Sequence, residues 1–500
     1  MRGKQALKNM VASLLLQVIV LLSGLILPRF ILEAYGSSVN GMITSVNQFL
    51  TYLGLAEAGV GTATVVALYT PLALKQTEEV NSILSATRKF YNKSGMLFLA
   101  LTLVLIGVYP FFISGQLENS LVRWMILVLA GSTLVDYFFL GKYRVLLTAN
   151  QEGYVVALIQ AAGTIVNMVV SIFLIYIGAG VLFVKAVATG VYMLRLVLVK
   201  IYVKRKYPAL DFYAEPNEGA LKQKNAALLH QVVGIIVNNT DTTVLTICLG
   251  AKSLLEVSVY GIYMMVVNAV NQLMTSFSNG LTAGFGEVIA KNEEETLKKS
   301  YSSYEYMYFV IMFIVIACMG VLILPFVGVY TINLTDVQYV RPVLGILFTL
   351  IVFMQNVRIP GLTIICAAGH YKEILEAVIN ITVSLGLVWK FGMAGVLLGT
   401  VCSYGYRSFE IVFYTSRHLV KGCAKKSMFR ILRNVFTVAI LCTVGTYVIP
   451  QEITSFTTWF LYAIGMGLTS VFFVVVINYV VEPDEFMQLR HRVNDIIKKE

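Results

Sequence analysis

Long hydrophobic runs separated by short polar stretches dominate the pattern of this chain. A helix that crosses the hydrocarbon core of a bilayer needs about 20 consecutive apolar residues. The runs of that length fall near residues 10–33, 38–70, 94–114, 121–148, 152–178, 181–203, 226–249, 255–289, 304–330, 338–367, 373–391, 394–416, 433–449 and 456–481. The pattern therefore predicts an all-α membrane protein with about 14 transmembrane helices.

Two of these runs, 38–70 and 255–289, are longer than one crossing needs. We expect such runs to tilt, to kink or to extend into water. Two other segments, 80–91 and 486–496, repeat apolar residues at helical spacing on the side predicted to lie inside. These segments either lie flat on the cytoplasmic surface or form short helices packed on the loops.

The connections between the runs are short. The longest, residues 204–225, holds two prolines and divides the chain near its middle. No connection is long enough to fold as a catalytic domain, so we expect a protein that is not an enzyme.

Composition and charge agree with a membrane protein. Of the 500 residues, 58% are hydrophobic and only 13% are charged, and the mean hydropathy is +0.77. The net charge of +11 would suggest a nucleic-acid partner in a soluble protein, but basic residues also collect in the cytoplasmic loops of membrane proteins. With the N-terminus inside, 26 of the 38 Lys and Arg residues fall on inner segments and five on outer ends. We therefore expect no nucleic-acid partner and both termini in the cytoplasm.

The two halves of the chain repeat each other weakly. VNQFL (Val46–Leu50) is echoed by VNQLM (Val270–Met274), and AGVG (Ala58–Gly61) by AGFG (Ala283–Gly286). Three later matches share one offset: 110–111 with 325–326, 147–148 with 362–363, and 179–182 with 394–397. Six helices per copy is an even number, so both copies enter the membrane from the same side.

The repeat predicts two parallel six-helix lobes around a central cavity, plus two C-terminal helices. The predicted limits are 1–203 for the N-lobe, 204–225 for a cytoplasmic linker, 226–416 for the C-lobe, and 417–500 for helices 13–14 and the tail. Rocking of one lobe against the other would expose a central site to each side in turn, which is a transporter's architecture.

Four segments resemble the polysaccharide flippases, in the superfamily that also holds the MATE-type multidrug exporters and the lipid II flippases. They are LPRFILEAYG (Leu27–Gly36), LTYLGLAEAGVGTA (Leu50–Ala63), NNTDTTVLTICLG (Asn238–Gly250) and VYGIYMMV (Val259–Val266). The resemblance implies a V-shaped cavity and a lipid-linked oligosaccharide flipped from the inner to the outer leaflet of a bacterial cytoplasmic membrane. It also implies contact with membrane lipid and, as candidate partners, other membrane proteins of polysaccharide assembly.

Basic residues inside the predicted helices need a reason, because a charge in hydrocarbon costs about 2.5–3.5 kcal/mol on insertion scales. Seven lie there, and four are candidates for function: Arg29, Arg144, Arg358 and Lys142. The repeat places Arg144 within one residue of Arg358. A guanidinium donates two hydrogen bonds at once to a phosphate, so we expect these residues to bind the phosphates of a polyprenyl-pyrophosphate headgroup. Snorkelling to the interface and structural ion pairs are the alternatives.

Three acids lie near the midpoints of predicted helices: Glu57, Asp136 and Asp241. A carboxylate that alternates between H⁺ or Na⁺ and an arginine partner would couple ion flow to lobe movement, and a plain salt bridge is the alternative. We expect no cofactor other than such an ion, since the dispersed cysteines and histidines show no spacing of metal ligands.

Polar amides occupy equivalent positions of the two repeats: Asn47 and Gln48 in one, Asn271 and Gln272 in the other. They could bind sugar hydroxyls in the cavity or hydrogen-bond neighbouring helices. The functional alternatives to a polysaccharide flippase are a cation-coupled exporter of small amphiphiles, as in the MATE branch, and a lipid II-type flippase.

Overall fold

A computed structural model describes most of the chain. The described residues are 2–57, 59–113, 115–217, 219, 239–278, 281–291, 293–369, 374–450, 452–488 and 490. Within these ranges the regular secondary structure is helical throughout. The all-α fold class predicted from the sequence is confirmed.

The helices follow the predicted runs closely. In chain order they are α1 (Arg2–Leu53), α2 (Val60–Ala73), α3 (Thr77–Phe112), α4 (Asn119–Val135), α5 (Gly141–Ala149), α6 (Gly153–Tyr176), α7 (Val181–Lys206), α8 (239–248), α9 (Ser253–Ser278), α10 (Leu281–Ala290), α11 (Glu294–Tyr330), α12 (Pro342–Val357), α13 (Ile359–Ala367), α14 (Ile374–Phe391), α15 (Met393–His418), α16 (Ala424–Val448) and α17 (Phe456–Val481).

Ten helical stretches of the described residues are long and apolar enough to cross a bilayer, and α2 is a shorter apolar helix. The seventh predicted run is described only from Asn239 onward. The chain is therefore a multi-pass membrane protein, whereas the number of fourteen helices stays a prediction.

Several predicted spans are broken rather than straight. Gly36, with φ of 78°, separates α1 into two helices, and a 3-10 turn at Gly54–Glu57 separates α1 from α2. The run 255–289 divides into α9 and α10, so both overlong runs are interrupted as expected. Such an interruption leaves some backbone groups without their helical hydrogen-bond partners and changes the direction of the side chains that follow it.

The amphipathic segment 80–91 is not a separate surface helix. It forms the beginning of α3, and its apolar side chains Val80, Ile83, Leu84 and Tyr91 are buried. Val80, Ile83 and Leu84 pack with residues of α2, α5 and α7 in one hydrophobic cluster, and Tyr91 belongs to a second cluster. They are buried because α3 continues into the bundle and packs its apolar face there. The segment 486–496 lies mostly outside the described residues.

The chain divides into two compact units, residues 1–259 and 260–500. The first unit holds α1 to α8 and the start of α9, and the second holds the remaining helices. The predicted lobe limits, with a linker at 204–225, stay a prediction.

Inside the first unit, α8 and the start of α9 pack tightly on the second half of α1. Ser45 and Thr246 hydroxyls lie 2.8 Å apart, and the Asn40 amide donates to Ser258 at 2.9 Å. A Cβ on Gly41 would lie 1.8 Å from the carbonyl oxygen of Leu254, so only glycine allows this approach. We call these residues the outer contact, since the charge bias predicts that this end of the helices faces outside.

Inside the second unit, one arginine joins three helical segments. Arg430 of α16 is 1% exposed and contacts Glu305 of α11 at 3.0 Å. It also contacts Glu482 at 3.1 Å and Glu485 at 3.4 Å, which follow α17. Three carboxylates around a buried guanidinium hold α16 and α17 against α11.

The Glu485 carboxylate is stabilised in its charged form. Burial alone would raise its pKa, but hydrogen bonds from Lys426 and Ser302 and the charges of Lys426 and Arg430 lower the pKa below its ordinary value. Glu485 is therefore ionised at neutral pH, and its charge has partners in Lys426 and Arg430.

Replacing Arg430 by Ala should lower the free energy of unfolding by about 3–5 kcal/mol, because buried carboxylates lose their counter-charge. Thermal or denaturant unfolding of the purified protein in detergent measures this loss. Lys421→Ala is the matched control: its ion pair with Glu294 is exposed on both sides and should contribute less than about 1 kcal/mol. Equal effects of the two substitutions would contradict the assignment.

Candidate functional site

The first part of the site is the interruption between α1 and α2. Glu57 ends the 3-10 turn Gly54–Glu57, in the middle of the second predicted span. Gly59 follows with φ of 84°, a conformation that suits glycine, and α2 begins at Val60. Tyr137, which follows α4, stabilises this interruption, since its hydroxyl donates a hydrogen bond to the Gly54 carbonyl at 2.8 Å.

A second interruption lies in the fourth predicted span. Between α4 and α5, residues Asp136–Leu140 form a turn of π-helix. Such a turn inserts an extra residue into the helix and is frequent at functional sites. Asp136 is buried at the start of this turn, and Arg144 lies about two helical turns further on.

The two interruptions bring three charged residues together. Arg144 contacts the Glu57 carboxylate at 3.2 Å and the Asp136 carboxylate at 2.9 Å. The Tyr91 hydroxyl donates to Glu57 at 2.6 Å. Glycine at 141 makes room for the Tyr91 ring, because a Cβ there would lie 2.6 Å from Cε1 of the tyrosine. We call Glu57, Tyr91, Asp136 and Arg144 the N-half cluster.

The N-half cluster has more negative than positive charge when both acids are ionised. Its acids are largely buried, with side-chain exposures of 18% and 12%, whereas the Arg144 side chain is 40% exposed. Oδ1 of Asp136 is buried without a hydrogen-bond partner among the described residues. An additional proton or a small cation would balance the charge and satisfy this oxygen.

Arg358 has different surroundings. It lies between α12 and α13, where the tenth predicted span is interrupted, as Arg144 follows the interruption of the fourth. Its guanidinium donates to Glu376 of α14 and stacks on the Tyr404 ring at 4.5 Å. Arg407 lies 3.8 Å from the same Glu376 carboxylate. Arg358 is therefore part of a buried ion pair, and phosphate contact by this residue stays a prediction.

The other two predicted basic residues lie elsewhere. Arg29 donates to Glu33 one turn further along α1, at 3.1 Å. The Lys142 ammonium lies 5.4 Å from the Tyr143 ring centroid and 5.6 Å from that of Phe212. Neither joins the N-half cluster through a contact that the described residues show.

A groove on the last two helices completes the set of candidate sites. It lies between α16 and α17, has a volume of about 700 Å³ and is lined almost wholly by apolar side chains. Arg433 stands at one end, in contact with Glu482 at 3.1 Å. The groove is long and apolar and has a charged residue at one end, so its shape and its lining are complementary to a lipid molecule.

Comparison with known proteins finds similarity only at the level of structure. No family model matches the chain, and no curated protein matches it. Lipid II flippase MurJ in an inward closed conformation aligns with a TM-score of 0.65 and 14% identity, over 94% of this chain and 98% of that one. An inward-facing MATE family multidrug resistance transporter aligns at 0.60, with 14% identity over 87% and 98% of the two chains.

The eukaryotic MATE transporter AtDTX14 aligns at 0.56, with 12% identity over 86% of this chain and 99% of that one. The chain has the fold of these transporters. Identities this low establish the fold alone, so the MATE-like fold expected from the sequence is confirmed while the substrate is not.

Within this transporter fold, the predicted amides of the second repeat form a network. Asn271 of α9 donates to Gln355 of α12 at 2.8 Å and accepts from Asn356 at 2.9 Å. The Tyr308 hydroxyl of α11 donates to Asn356 at 3.0 Å. Gln272 contributes a backbone carbonyl to the hydroxyls of the next helical turn. Hydrogen bonding between helices is what the side chain of Asn271 does here.

The amides of the first repeat differ from those of the second. The Asn47 side chain is exposed, and Nε2 of Gln48 is buried without a partner among the described residues. Asp241 is buried on α8 beside Thr240 and Thr242, in the oxygen-rich setting expected from the sequence. Sugar binding by the amides and ion binding by Asp241 stay predictions.

Sequence reasoning missed two residues that the fold brings to these sites. Tyr91 was assigned to a surface segment, although it forms the shortest hydrogen bond of the N-half cluster. Glu376 lies near the start of a predicted run and was not among the acids selected from the sequence. The rule that every acid in an apolar run needs a partner would have selected Glu376.

Replacing Arg144 by Gln should lower the free energy of unfolding by about 3 kcal/mol, because two mostly buried carboxylates lose their cation. Neutralising them as well, with Glu57→Gln and Asp136→Asn, should recover most of the loss. Unfolding of the single and the triple variant in detergent measures both effects. A triple variant no more stable than Arg144→Gln would show that the arginine stabilises the protein by packing alone.

Proposed function

We propose that this protein flips a polyprenyl-pyrophosphate-linked oligosaccharide from the inner to the outer leaflet, by alternating access, for cell-surface polysaccharide synthesis. The observation that carries the proposal is the fold, which aligns with a lipid II flippase over 94% of the chain. That neighbour is a flippase of lipid II, and the motifs of this chain resemble the polysaccharide branch of the same superfamily.

Two features of the structure support a lipid-linked substrate. The groove between α16 and α17 offers about 700 Å³ of apolar space, which fits an isoprenoid chain. The membrane-spanning helices also hold several arginines, and guanidinium groups are suited to pyrophosphate.

The N-half cluster supports ion coupling. Arg144 neutralises one charge while two carboxylates compete for it. Binding of H⁺ or Na⁺ to Asp136 or Glu57 would weaken the competing salt bridge and release Arg144 to another anion. An exchange between ion and substrate needs such a group with two alternative partners.

The outer contact supports alternating access. It joins α1, in the predicted N-lobe, to α8 and α9, in the predicted C-lobe, through small side chains and hydroxyl pairs. Small polar contacts of this kind contribute about 1 kcal/mol each and separate more easily than an apolar core. We propose that the contact opens when the substrate leaves toward the outer leaflet.

A cation-coupled exporter of small amphiphiles is the second candidate. It is favoured by the buried acids of the N-half cluster and by the alignment with MATE transporters at TM-scores of 0.60 and 0.56. The two candidates differ in what accumulates when the protein is absent.

Deletion of the protein should leave a lipid-linked oligosaccharide on the cytoplasmic leaflet, because its synthesis continues while its transfer stops. Extraction of labelled lipids from inside-out and right-side-out vesicles measures how much of the lipid-linked oligosaccharide lies in each leaflet. Expression of the native chain should restore transfer, and expression of Arg144→Gln should not. Normal transfer in the deletion strain, together with retention of a cationic dye, would overturn the flippase proposal and favour the exporter.

Cross-linking of the outer contact should stop transport. In a variant without its six native cysteines, Ser45→Cys with Thr246→Cys replaces two hydroxyls 2.8 Å apart, and oxidation should block transfer reversibly. Thr64→Cys with Thr87→Cys is the matched control, since its hydroxyls lie 3.1 Å apart between α2 and α3 of one predicted lobe. Transfer that continues after complete cross-linking of the first pair would exclude the outer contact as a moving part.

A further inference from the structure

Arg195 is a charged residue deep in the membrane-spanning part of α7 that neither the predictions nor the N-half cluster includes. By the rise of a helix, it lies about 21 Å from Val181 and about 16 Å from Lys206, the two ends of α7. The basic residues that collect at the end of this helix, Lys204, Arg205 and Lys206, are at least two turns away. Its charge therefore needs a partner inside the hydrocarbon.

The contacts of Arg195 provide hydrogen bonding but no counter-charge. Nη2 donates to the Thr164 hydroxyl of α6 at 3.2 Å, and the guanidinium carbon lies 5.4 Å from the Tyr192 ring centroid. Nε is buried without a hydrogen-bond partner, and no carboxylate of the described residues forms an ion pair with Arg195. Most of its five N–H donors are thus unused.

The other arginines in the interior of the bundle are paired. Each contacts at least one carboxylate: Arg144, Arg358, Arg407, Arg430 and Arg433. Arg195 has no such contact in the part of the chain that the structure describes, and the same holds for Arg88, which lies near the start of α3 and stacks on the Tyr213 ring at 3.9 Å. The distinction points to a negative charge supplied by something other than these residues.

The neighbouring helix is shaped for this side chain. A Cβ on Gly163 would lie 2.2 Å from Nε of Arg195 and 2.8 Å from its Cγ. Only glycine at this position of α6 leaves room for the arginine side chain. Gln160, Thr164, Asn167 and Ser171 follow one face of α6 at helical spacing. The guanidinium therefore packs against Gly163 and lies next to the polar face of α6.

Tyr192 connects Arg195 with the N-half cluster. Its hydroxyl is within electrostatic range of Asp136, Arg144 and Glu57 as well as of Arg195. An anion bound to Arg195 would thus act on the same tyrosine as the carboxylates that we propose to bind the coupling ion.

We propose that Arg195, with Thr164 and Tyr192, binds a phosphate group of the transported substrate. This inference rests on the proposed function and specifies the residue that takes the headgroup while carboxylates hold Arg144 and Arg358, as they do in this structure: Arg195. A pyrophosphate accepts two hydrogen bonds from one guanidinium and a further one from the Tyr192 hydroxyl. It also supplies the missing negative charge. The Thr164 hydroxyl donates to the Gln160 carbonyl and accepts from Arg195, so its role is to hold the guanidinium in place.

Binding of a polyprenyl pyrophosphate without sugar to the purified protein in nanodiscs tests the proposal, with inorganic pyrophosphate as a second probe. Arg195→Gln should weaken binding of the lipid by about tenfold or more, the loss expected when hydrogen bonds to a charged group are removed. Arg195→Lys should retain part of the affinity. Arg205→Gln, on the same helix but at its exposed end, should bind within about twofold of the native protein.

The two probes separate the sources of the phosphate. Loss of the lipid's binding alone assigns the site to a headgroup presented by the membrane, and loss of both probes assigns it to phosphate from either source. Gly163→Ala keeps every charge but displaces the guanidinium, so it should also weaken binding, which keeps the test valid if Arg195→Gln does not fold.

Unchanged affinity in well-folded Arg195→Gln and Gly163→Ala proteins would overturn the assignment. Because the measurement uses purified protein, it is independent of the accumulation experiment. Binding that depends on Arg195 in a protein whose deletion leaves glycan transfer normal would refute the proposed function and retain the phosphate site.

Discussion

The neutralisation of charge inside the hydrocarbon is the constraint on which this structure depends. Water cannot solvate an arginine or a carboxylate there, so each must find a partner in the protein or in a ligand. The fold meets this requirement with interrupted helices. The 3-10 turn before α2 and the π turn before α5 place Glu57 and Asp136 around Arg144, and the interruption at Arg358 places its guanidinium against Glu376.

The two units use this principle for different purposes. In the second unit, the ion pairs of Arg358 and Arg430 are buried on all sides and hold helices together. In the first unit, Arg144 is partly exposed, its acids are in excess, and Arg195 has no carboxylate partner among the described residues. The charges of the second unit that lie on Arg358 and Arg430 are thus paired inside the protein, whereas those of the first unit are not all balanced by its described residues.

The repeat explains both the likeness and the difference between the halves. The sequence places Arg144 and Arg358 at nearly equivalent positions, and the structure places each next to an interruption of its span. Their acids come from different helices, α1 and α4 for Arg144 and α14 for Arg358. The two positions therefore share the backbone break and the cation but differ in the counter-charge.

The hydrophobic pattern by itself determined the helices and their approximate limits, because span length is set by the bilayer and not by neighbours. The likeness to a transporter fold came from the internal repeat and from four segments that resemble a transporter family. The pattern also identified which interior charges need an explanation, such as Glu57, Asp136 and Arg144. Only the tertiary structure decided which of them meet: helix breaks at Gly54 and Asp136 change side-chain directions that a regular helix would predict. For the same reason, only the packed helices show the contacts that Tyr91 and Glu376 make. They also show how Arg195 packs against Gly163.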